Sequence, residues 1–304
     1  MLKQKKKNGE NKILQALPFM LPSFIGMLVF SFFPVVISVL LSLTDWNGLE
    51  RLTVNTIFNR FVGLENYMRI LSGSEFWQVL GHTLYYIVLY IPLVFVASMG
   101  IALLLNKKKK GTMVLRVMYY IPVLTSWVAA SLIWKWVLSP KYGIFNQILA
   151  VFGINGPGWL TSEVWAMPGI VLASVWKDMG FFGLFLLSGL QAIDPTYYEA
   201  AKVDGANKIV TFFKVTLPLV TPSIFFCLIM SLINAFQLFP QVQIMTEGGP
   251  NGATQVMVER IYTYGFSYFK MGYASAYSWL LFIIIFVLTM VQMKLQNGWV
   301  HYES

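Results

Sequence analysis

The chain has 304 residues, of which 57% are hydrophobic and 12% are charged, whereas an ordinary soluble domain carries about 25% charged residues. This composition excludes an ordinary soluble fold and indicates an integral membrane protein. The formal net charge is +9, from 22 Lys and Arg against 13 Asp and Glu. Because the densest basic run, Lys107 to Lys110, lies between two long apolar stretches, we interpret the charge as a membrane-topology signal and not as a nucleic-acid site.

Six apolar stretches are long enough to cross a bilayer, since a helix rises about 1.5 Å per residue and the hydrocarbon core is about 30 Å thick. In chain order they are 17–43, 79–105, 117–138, 164–190, 217–239 and 273–293. The first stretch is too long for the apolar core of a cleaved signal peptide, so we expect a retained span. The predicted fold class is an all-α membrane protein with six transmembrane helices.

Basic residues in the connections predict the orientation, because Lys and Arg are retained on the cytoplasmic side. Fourteen of them lie in the N-terminal tail, the 106–116 and 191–216 loops and the C-terminal tail, against six in the other connections. We therefore predict that both termini are cytoplasmic. The chain is divided into a basic tail (1–16), a first helix with its exterior loop (17–78), a five-helix core (79–295) and a cytoplasmic tail (296–304).

The sequence carries no motif for catalysis or metal binding. It contains no GxxxxGK[ST], HExxH, CxxC or GxSxG pattern. Its two histidines, His82 and His301, and its one cysteine, Cys227, are too few for a metal site or a hydrolase triad. We therefore expect no catalytic residue and no metal or cofactor bound by this chain.

The connection at residues 191–216 predicts two short helices joined by a glycine turn. Asp194 before Pro195 suits a helix N-cap and the first helical position, and Gly205 permits a bend. Apolar residues at helical spacing follow, which predicts an amphipathic second helix. This element would offer a carboxylate and an apolar face to a soluble partner, and it suits an interfacial helix on lipid headgroups equally well.

Within this connection, Glu199-Ala200-Ala201, Gly205 and Val215-x-Leu217-Pro218 follow the spacing EAA-x3-G-x9-I-x-LP, with Val in place of Ile. The pattern resembles the EAA signature of permease subunits of binding-protein-dependent ABC importers. The segments Met245 to Thr254 and Gly272 to Ala276 are similar to the exterior loop and last span of carbohydrate-type permeases, the maltose and glycerol-3-phosphate uptake family. The resemblance extends over nearly the whole chain.

This resemblance implies a type I ABC importer permease fold in a bacterial cell membrane. Two homologous permease subunits would form the pathway, and two cytoplasmic ATPase subunits, which use ATP and Mg, would dock on the EAA loops. An extracellular or periplasmic solute-binding protein would deliver a sugar or oligosaccharide, and the permease itself would hydrolyse nothing. The residues implied in ATPase coupling are Glu199, Ala200, Ala201, Asp204, Gly205, Leu217 and Pro218.

Sugars need aromatic faces for stacking and amide or carboxyl groups for their hydroxyls. Placement relative to the family's sugar-binding spans makes four residues the substrate-path candidates: Trp176, Gly180, Asn234 and Gln237. Lys177 and Asp178 are open to two interpretations, an interhelical ion pair or a path in which Lys177 pairs with an anion.

Other cargoes and other classes of membrane protein remain as alternatives. The same type of importer could carry glycerol phosphate, a polyol or an acidic sugar. A stand-alone carrier or channel would leave the EAA spacing unexplained.

Overall fold

The computed structural model describes residues 18–106 and 112–301, and backbone only at 112 and 113. Within these ranges the chain is helical, and the β-type pairing consists of one isolated bridge between Thr44 and Phe61. The predicted basic tail 1–16, the run Lys107 to Lys110 and the last three residues lie outside the described residues.

The helices follow one another along the chain with short connections. In chain order they are α1 (Pro18–Ser42), α2 (Val54–Asn59), α3 (Glu65–Ser72), α4 (Ser74–Asn106), α5 (Thr112–Leu124), α6 (Trp127–Val137), α7 (Ile144–Val151), α8 (Glu163–Ala192), α9 (Pro195–Val203), α10 (Lys208–Leu219), α11 (Thr221–Phe236), α12 (Pro240–Met245), α13 (Met257–Tyr262) and α14 (Met271–Leu295).

Four of these helices, α1, α4, α8 and α14, are long and apolar enough to cross a membrane. Two further pairs meet the same criterion together but are bent, α5 with α6 by 102° and α10 with α11 by 66°. The six-span fold holds if each bent pair counts as one span. Each of the stretches 117–138 and 217–239 contains a break, so the span there consists of two helical segments.

The bend between α5 and α6 has a local cause. Pro122 lacks the N–H that would continue the helical hydrogen bonds, and the Thr125 hydroxyl donates to the Pro122 carbonyl at 2.6 Å. Ser126 then starts α6 as its N-cap, with its Oγ accepting from the backbone N–H of Ala129 at 3.2 Å. One helix therefore ends and a new one begins in the middle of the apolar stretch.

The bend between α10 and α11 has the same origin. Pro222 cannot donate to the carbonyl of Pro218, and the Thr221 hydroxyl donates to that carbonyl instead, at 2.6 Å. A side-chain bond thus satisfies the backbone oxygen that the proline leaves without its helical partner.

Residues 71–262 and 280–304 form one compact unit. Helices α4 and α8 pack along each other more extensively than any other pair, and α5 and α11 also pack on α8. The contact surface is filled by side chains that are at most 1% exposed, including Val94, Ile170, Phe182 and Leu186. The contacts Tyr90–Asp178 and Phe95–Phe182 run in the same direction along both helices, so α4 and α8 are parallel, and this pair holds the site described below.

Residues 1–70 and 263–279 form the other unit. The most apolar 18-residue window of α1 has no buried residue, which suits a helix whose sides face lipid. At the end of α1, the Asn66 side-chain amide donates to the carbonyls of Ser42 and Thr44 at 3.0 and 2.8 Å. These bonds satisfy carbonyls that a helix end leaves unpaired.

Candidate functional site

A cavity of about 310 Å³ lies within the unit formed by residues 71–262 and 280–304. Residues of α4, α6, α8, α11 and α12 and of the break before α12 contribute to its wall. The wall presents aromatic rings, amides and one carboxylate. Its residues are Tyr86, Tyr90, Trp127, Asp178, Asn234, Ala235, Gln237, Pro240 and Gln241. A wall that combines ring faces with hydrogen-bonding groups suits a polar organic ligand.

Two tyrosines of α4 form the aromatic side of the cavity. Tyr86 and Tyr90 are one helical turn apart, so they share a face, and their rings stack with centroids 5.2 Å apart and planes at 10°. Both are at most 2% exposed. The Tyr90 hydroxyl donates to Oδ2 of Asp178 on α8 at 2.7 Å. This bond orients the one carboxylate that lines the cavity.

The amide side of the cavity lies where the chain unwinds between α11 and α12. The backbone N–H of Gln237 ends α11 by donating to the carbonyls of Ile233 and Asn234 at 3.2 and 3.1 Å. Pro240 then starts α12 in the first helical position. Asn234 and Gln237 are exposed residues, whereas Gln241 is buried, with 5% of its surface exposed. Irregular backbone at membrane depth is tolerated where it lines such a cavity.

Lys177 and Asp178 do not form the ion pair that was one of the two sequence interpretations. The ammonium group of Lys177 donates to the carbonyls of Pro122 and Val123 at 3.2 and 3.3 Å, and it lies 5.0 Å from the ring centroid of Trp127. Neighbouring residues on a helix point in different directions. Lys177 therefore caps the end of α5, and Asp178 bonds to Tyr90.

The four predicted substrate-path residues separate into two pairs. Asn234 and Gln237 line the cavity, and Trp176 and Gly180 are absent from its wall. Trp176 packs edge-on against Trp134 with ring centroids 5.8 Å apart. Gly180 is buried where a Cβ would meet the Tyr119 carbonyl oxygen, so it allows α5 to approach α8 closely. A substrate contact by any of the four stays a prediction.

Sequence reasoning missed Tyr86, Tyr90 and Trp127. The tyrosine pair carried a detectable signal, because two tyrosines at i and i+4 inside an apolar span place two polar hydroxyls on one face. Trp127 carried none, since it stands at the start of a helix whose existence depends on the bend at residues 125 and 126.

The connection after α8 forms the predicted helix, turn and helix. Asp194 is the N-cap of α9, and its Oδ1 accepts from the backbone N–H and the hydroxyl of Thr196, both at 2.8 Å. These two bonds, the backbone bond first, lower the pKa of Asp194 below its ordinary value. The carboxylate thereby stays ionised at the positive end of the helix dipole.

Gly205 ends α9 in a left-handed conformation with φ +71°. Its N–H donates to the Lys202 carbonyl at 3.1 Å, and the Ala206 N–H donates to Ala201 at 2.9 Å, which together make a Schellman motif. Asn207 then caps α10 by accepting from the N–H groups of Ile209 and Val210. A Cβ at Gly205 would meet nothing within 4 Å, so glycine is required by the backbone angle and not by crowding.

Side chains of this helix–turn–helix element divide into an anchored set and an exposed set. Ala201 is buried at 9% exposure, and Leu217 and Pro218 are half-buried. Glu199, Ala200, Asp204 and Gly205 are exposed. Large apolar side chains are exposed beside them: Tyr197 (45%), Val203 (87%), Ile209 (70%) and Phe213 (60%). Exposed apolar surface of this kind is typical of a face that contacts another protein or a membrane.

A polytopic helical bundle with a polar cavity and an exposed helix–turn–helix suits a membrane transport subunit. The sequence matches the family described as binding-protein-dependent transport system inner membrane component over residues 94–299. The chain belongs to this family. It is a multi-pass membrane permease subunit of an ABC transporter and not an enzyme.

Individual relatives agree with this assignment. The chain is 36% identical over 291 residues to the probable ABC transporter permease protein YesP of Bacillus subtilis (strain 168), covering 94% of this chain and 91% of the relative. It is 36% identical over 277 residues, 90% of each chain, to the trehalose/maltose transport system permease protein MalF of Thermococcus litoralis.

A solved structure has the same fold. It is the crystal structure of a bacterial alginate ABC transporter in complex with an alginate pentasaccharide-bound periplasmic protein, which matches with a TM-score of 0.81 at 21% identity and covers 96% of each chain. The predicted fold class, an ABC importer permease, is confirmed.

Proposed function

We propose that this chain forms part of the pathway of an ATP-driven importer for a sugar or oligosaccharide, which an extracellular solute-binding protein delivers. The observation that carries the proposal is the cavity, whose wall includes the stacked Tyr86 and Tyr90 rings and the amides of Asn234 and Gln237. Among its relatives, the permease of Thermococcus litoralis is named for trehalose and maltose transport, and its similarity supports a carbohydrate cargo.

The chemistry of the cavity suits a carbohydrate. Sugar rings present C–H faces that pack on aromatic rings and hydroxyls that both donate and accept. Carboxylate and amide oxygens at Asp178, Asn234 and Gln237 accept from hydroxyls, and the amide N–H groups donate to them. Polar groups inside a membrane bundle are costly unless they have such partners or line a cavity.

We propose that the element from Pro195 to Leu219 receives the ATPase. The exposed Val203 would enter an apolar groove of that subunit, and Glu199 would pair with a basic or polar group at its edge. Closure of the ATPase dimer around ATP and Mg would then push α9 and α10. Because α10 continues into α11, whose end lines the cavity, movement at the loop would reach the cargo site.

The complete importer would contain a second homologous permease subunit, two ATPase subunits and the solute-binding protein. ATP and Mg would belong to the ATPase subunits, with no cofactor on this chain. The excess of Lys and Arg in the two tails and in the loops at 106–116 and 191–216 supports cytoplasmic termini in a bacterial cell membrane.

Co-purification tests this proposal. We expect the tagged chain, expressed with its neighbouring reading frames, to co-elute with a second permease and an ATPase in detergent. Addition of a sugar-loaded binding protein should stimulate ATP hydrolysis. Purification of the chain alone, with no ATPase captured by crosslinking at position 199, would contradict the proposal.

A further inference from the structure

The cavity carries one ionisable acid and no basic side chain. Among its wall residues in the described part of the chain, Asp178 is the one acidic residue, and none is Lys, Arg or His. The remaining polar groups are phenol hydroxyls, an indole and amides. An anionic cargo would therefore meet a carboxylate on a wall that carries no cationic side chain among the described residues.

Lys177 directly precedes this carboxylate in the sequence, yet it is not part of the cavity wall. Two of its three N–H donors are used by the Pro122 and Val123 carbonyls, which belong to the last turn of α5. Carbonyls at a helix end lack intrahelical partners and attract a cation. The ring of Trp127 covers the same ammonium group at 5.0 Å. Lys177 thus stabilises the bend of the third span, and it is not among the residues that line the cavity.

We infer that Asp178 is a specificity-determining residue that restricts this site to uncharged sugars and rejects acidic sugars and sugar phosphates. The inference rests on the proposed function, since it concerns the cargo of the same cavity. The Tyr90 hydroxyl holds Oδ2 at 2.7 Å, which leaves Oδ1 to accept from a cargo hydroxyl. A carboxylate or phosphate on the cargo offers no donor to Oδ1, and its negative charge repels that of Asp178.

Direct binding to the assembled importer tests this inference without the selectivity of the binding protein. The complex of both permeases and both ATPases is placed in nanodiscs, and equilibrium binding is measured at pH 7.5. The neutral probes are maltose, trehalose and lactose. The anionic probes are maltobionate and lactobionate, the aldonic acids of two of these sugars, together with glycerol 3-phosphate.

We expect the wild-type complex to bind a neutral disaccharide at least about tenfold more tightly than its aldonic acid. In Asp178→Asn, the side-chain oxygen still accepts from Tyr90, but an NH2 group replaces the oxygen that would accept from the cargo, so neutral binding should weaken by about two- to tenfold while the preference over the aldonic acid disappears. The matched control is Glu163→Gln, which removes a negative charge from the same helix away from the cavity wall and should leave the preference unchanged.

Equal or tighter binding of an anionic probe by the wild-type complex overturns the inference and leaves a carbohydrate importer intact. An unchanged preference in a folded Asp178→Asn complex overturns it too. If that variant does not assemble, the ratio of neutral to anionic probe affinity in the wild-type complex decides whether the inference holds. Failure of the proposed function is distinguishable, because then no sugar of either charge binds.

Discussion

The helix–turn–helix element from Pro195 to Leu219 and the cavity around Tyr90 are built in opposite ways. The element uses one contiguous segment, its caps bond over two to five residues, and four of its predicted coupling residues are exposed: Glu199, Ala200, Asp204 and Gly205. The cavity joins residues of five helices, and the bond from Tyr90 to Asp178 spans 88 residues. Damage to the element should therefore uncouple ATP hydrolysis from transport, whereas damage to the cavity should change the cargo.

The largest effect is expected from Gly205→Pro. Proline fixes φ near −65°, which is incompatible with the φ of +71° at this position, so the turn that positions α9 against α10 is lost. We expect ATP-driven uptake in proteoliposomes to be abolished, with normal membrane insertion. Gly205→Asn is the matched control, because Asn tolerates the left-handed region. Normal uptake by the proline variant would contradict a coupling role for this turn.

Glu199→Lys should rank next. Reversing an exposed charge leaves the helix intact, so the amount of inserted protein should not change, but it places like charges together in the docked state. We expect ATP-dependent uptake to be abolished and the co-purified ATPase to fall by at least about tenfold. Lys202→Glu, on the same helix but at a variable position of the EAA pattern, is the comparison variant. Equal recovery of the ATPase from wild type and Glu199→Lys would contradict the proposal that the ATPase docks at Glu199.

Gly180→Val addresses the packing of α5 on α8. The added side chain would meet the Tyr119 carbonyl oxygen and would lie close to Cγ2 of Val123, so overpacking should cost about 1–3 kcal/mol of stability. We expect a lower thermal midpoint in detergent. Gly100→Val is the control, since a Cβ there meets nothing within 4 Å. An unchanged midpoint with impaired uptake would instead support the substrate-path role predicted for Gly180.

The smallest effect is expected from Asn234→Ala. Loss of one neutral hydrogen bond weakens binding by about 0.5–1.5 kcal/mol, so the KM for uptake should rise by about two- to tenfold at similar ATPase recovery. Asn251→Ala is the control, because that amide bonds to Glu163 and lies outside the cavity wall. Kinetics identical to wild type would remove Asn234 from the cargo site.

Much of the element from Pro195 to Leu219 could be predicted from the sequence. A cap residue, a proline and a glycine act on backbone groups within one turn of themselves, so Asp194, Pro195 and Gly205 are readable in isolation. The apolar stretches likewise predict spans, because in lipid each segment must satisfy its backbone N–H and C=O groups by its own hydrogen bonds. The sequence by itself determined the membrane class, the number of apolar stretches and the form of this element.

Only the tertiary structure decided the partners of Lys177 and Asp178, and the separation of Asn234 and Gln237 from Trp176 and Gly180. Each of these depends on which helix lies opposite: Lys177 reaches carbonyls 55 and 54 residues away, and Gly180 is needed because α5 passes close by. Periodicity assigns a side chain to a face of its own helix. The identity of the group that meets that face is settled by long-range packing.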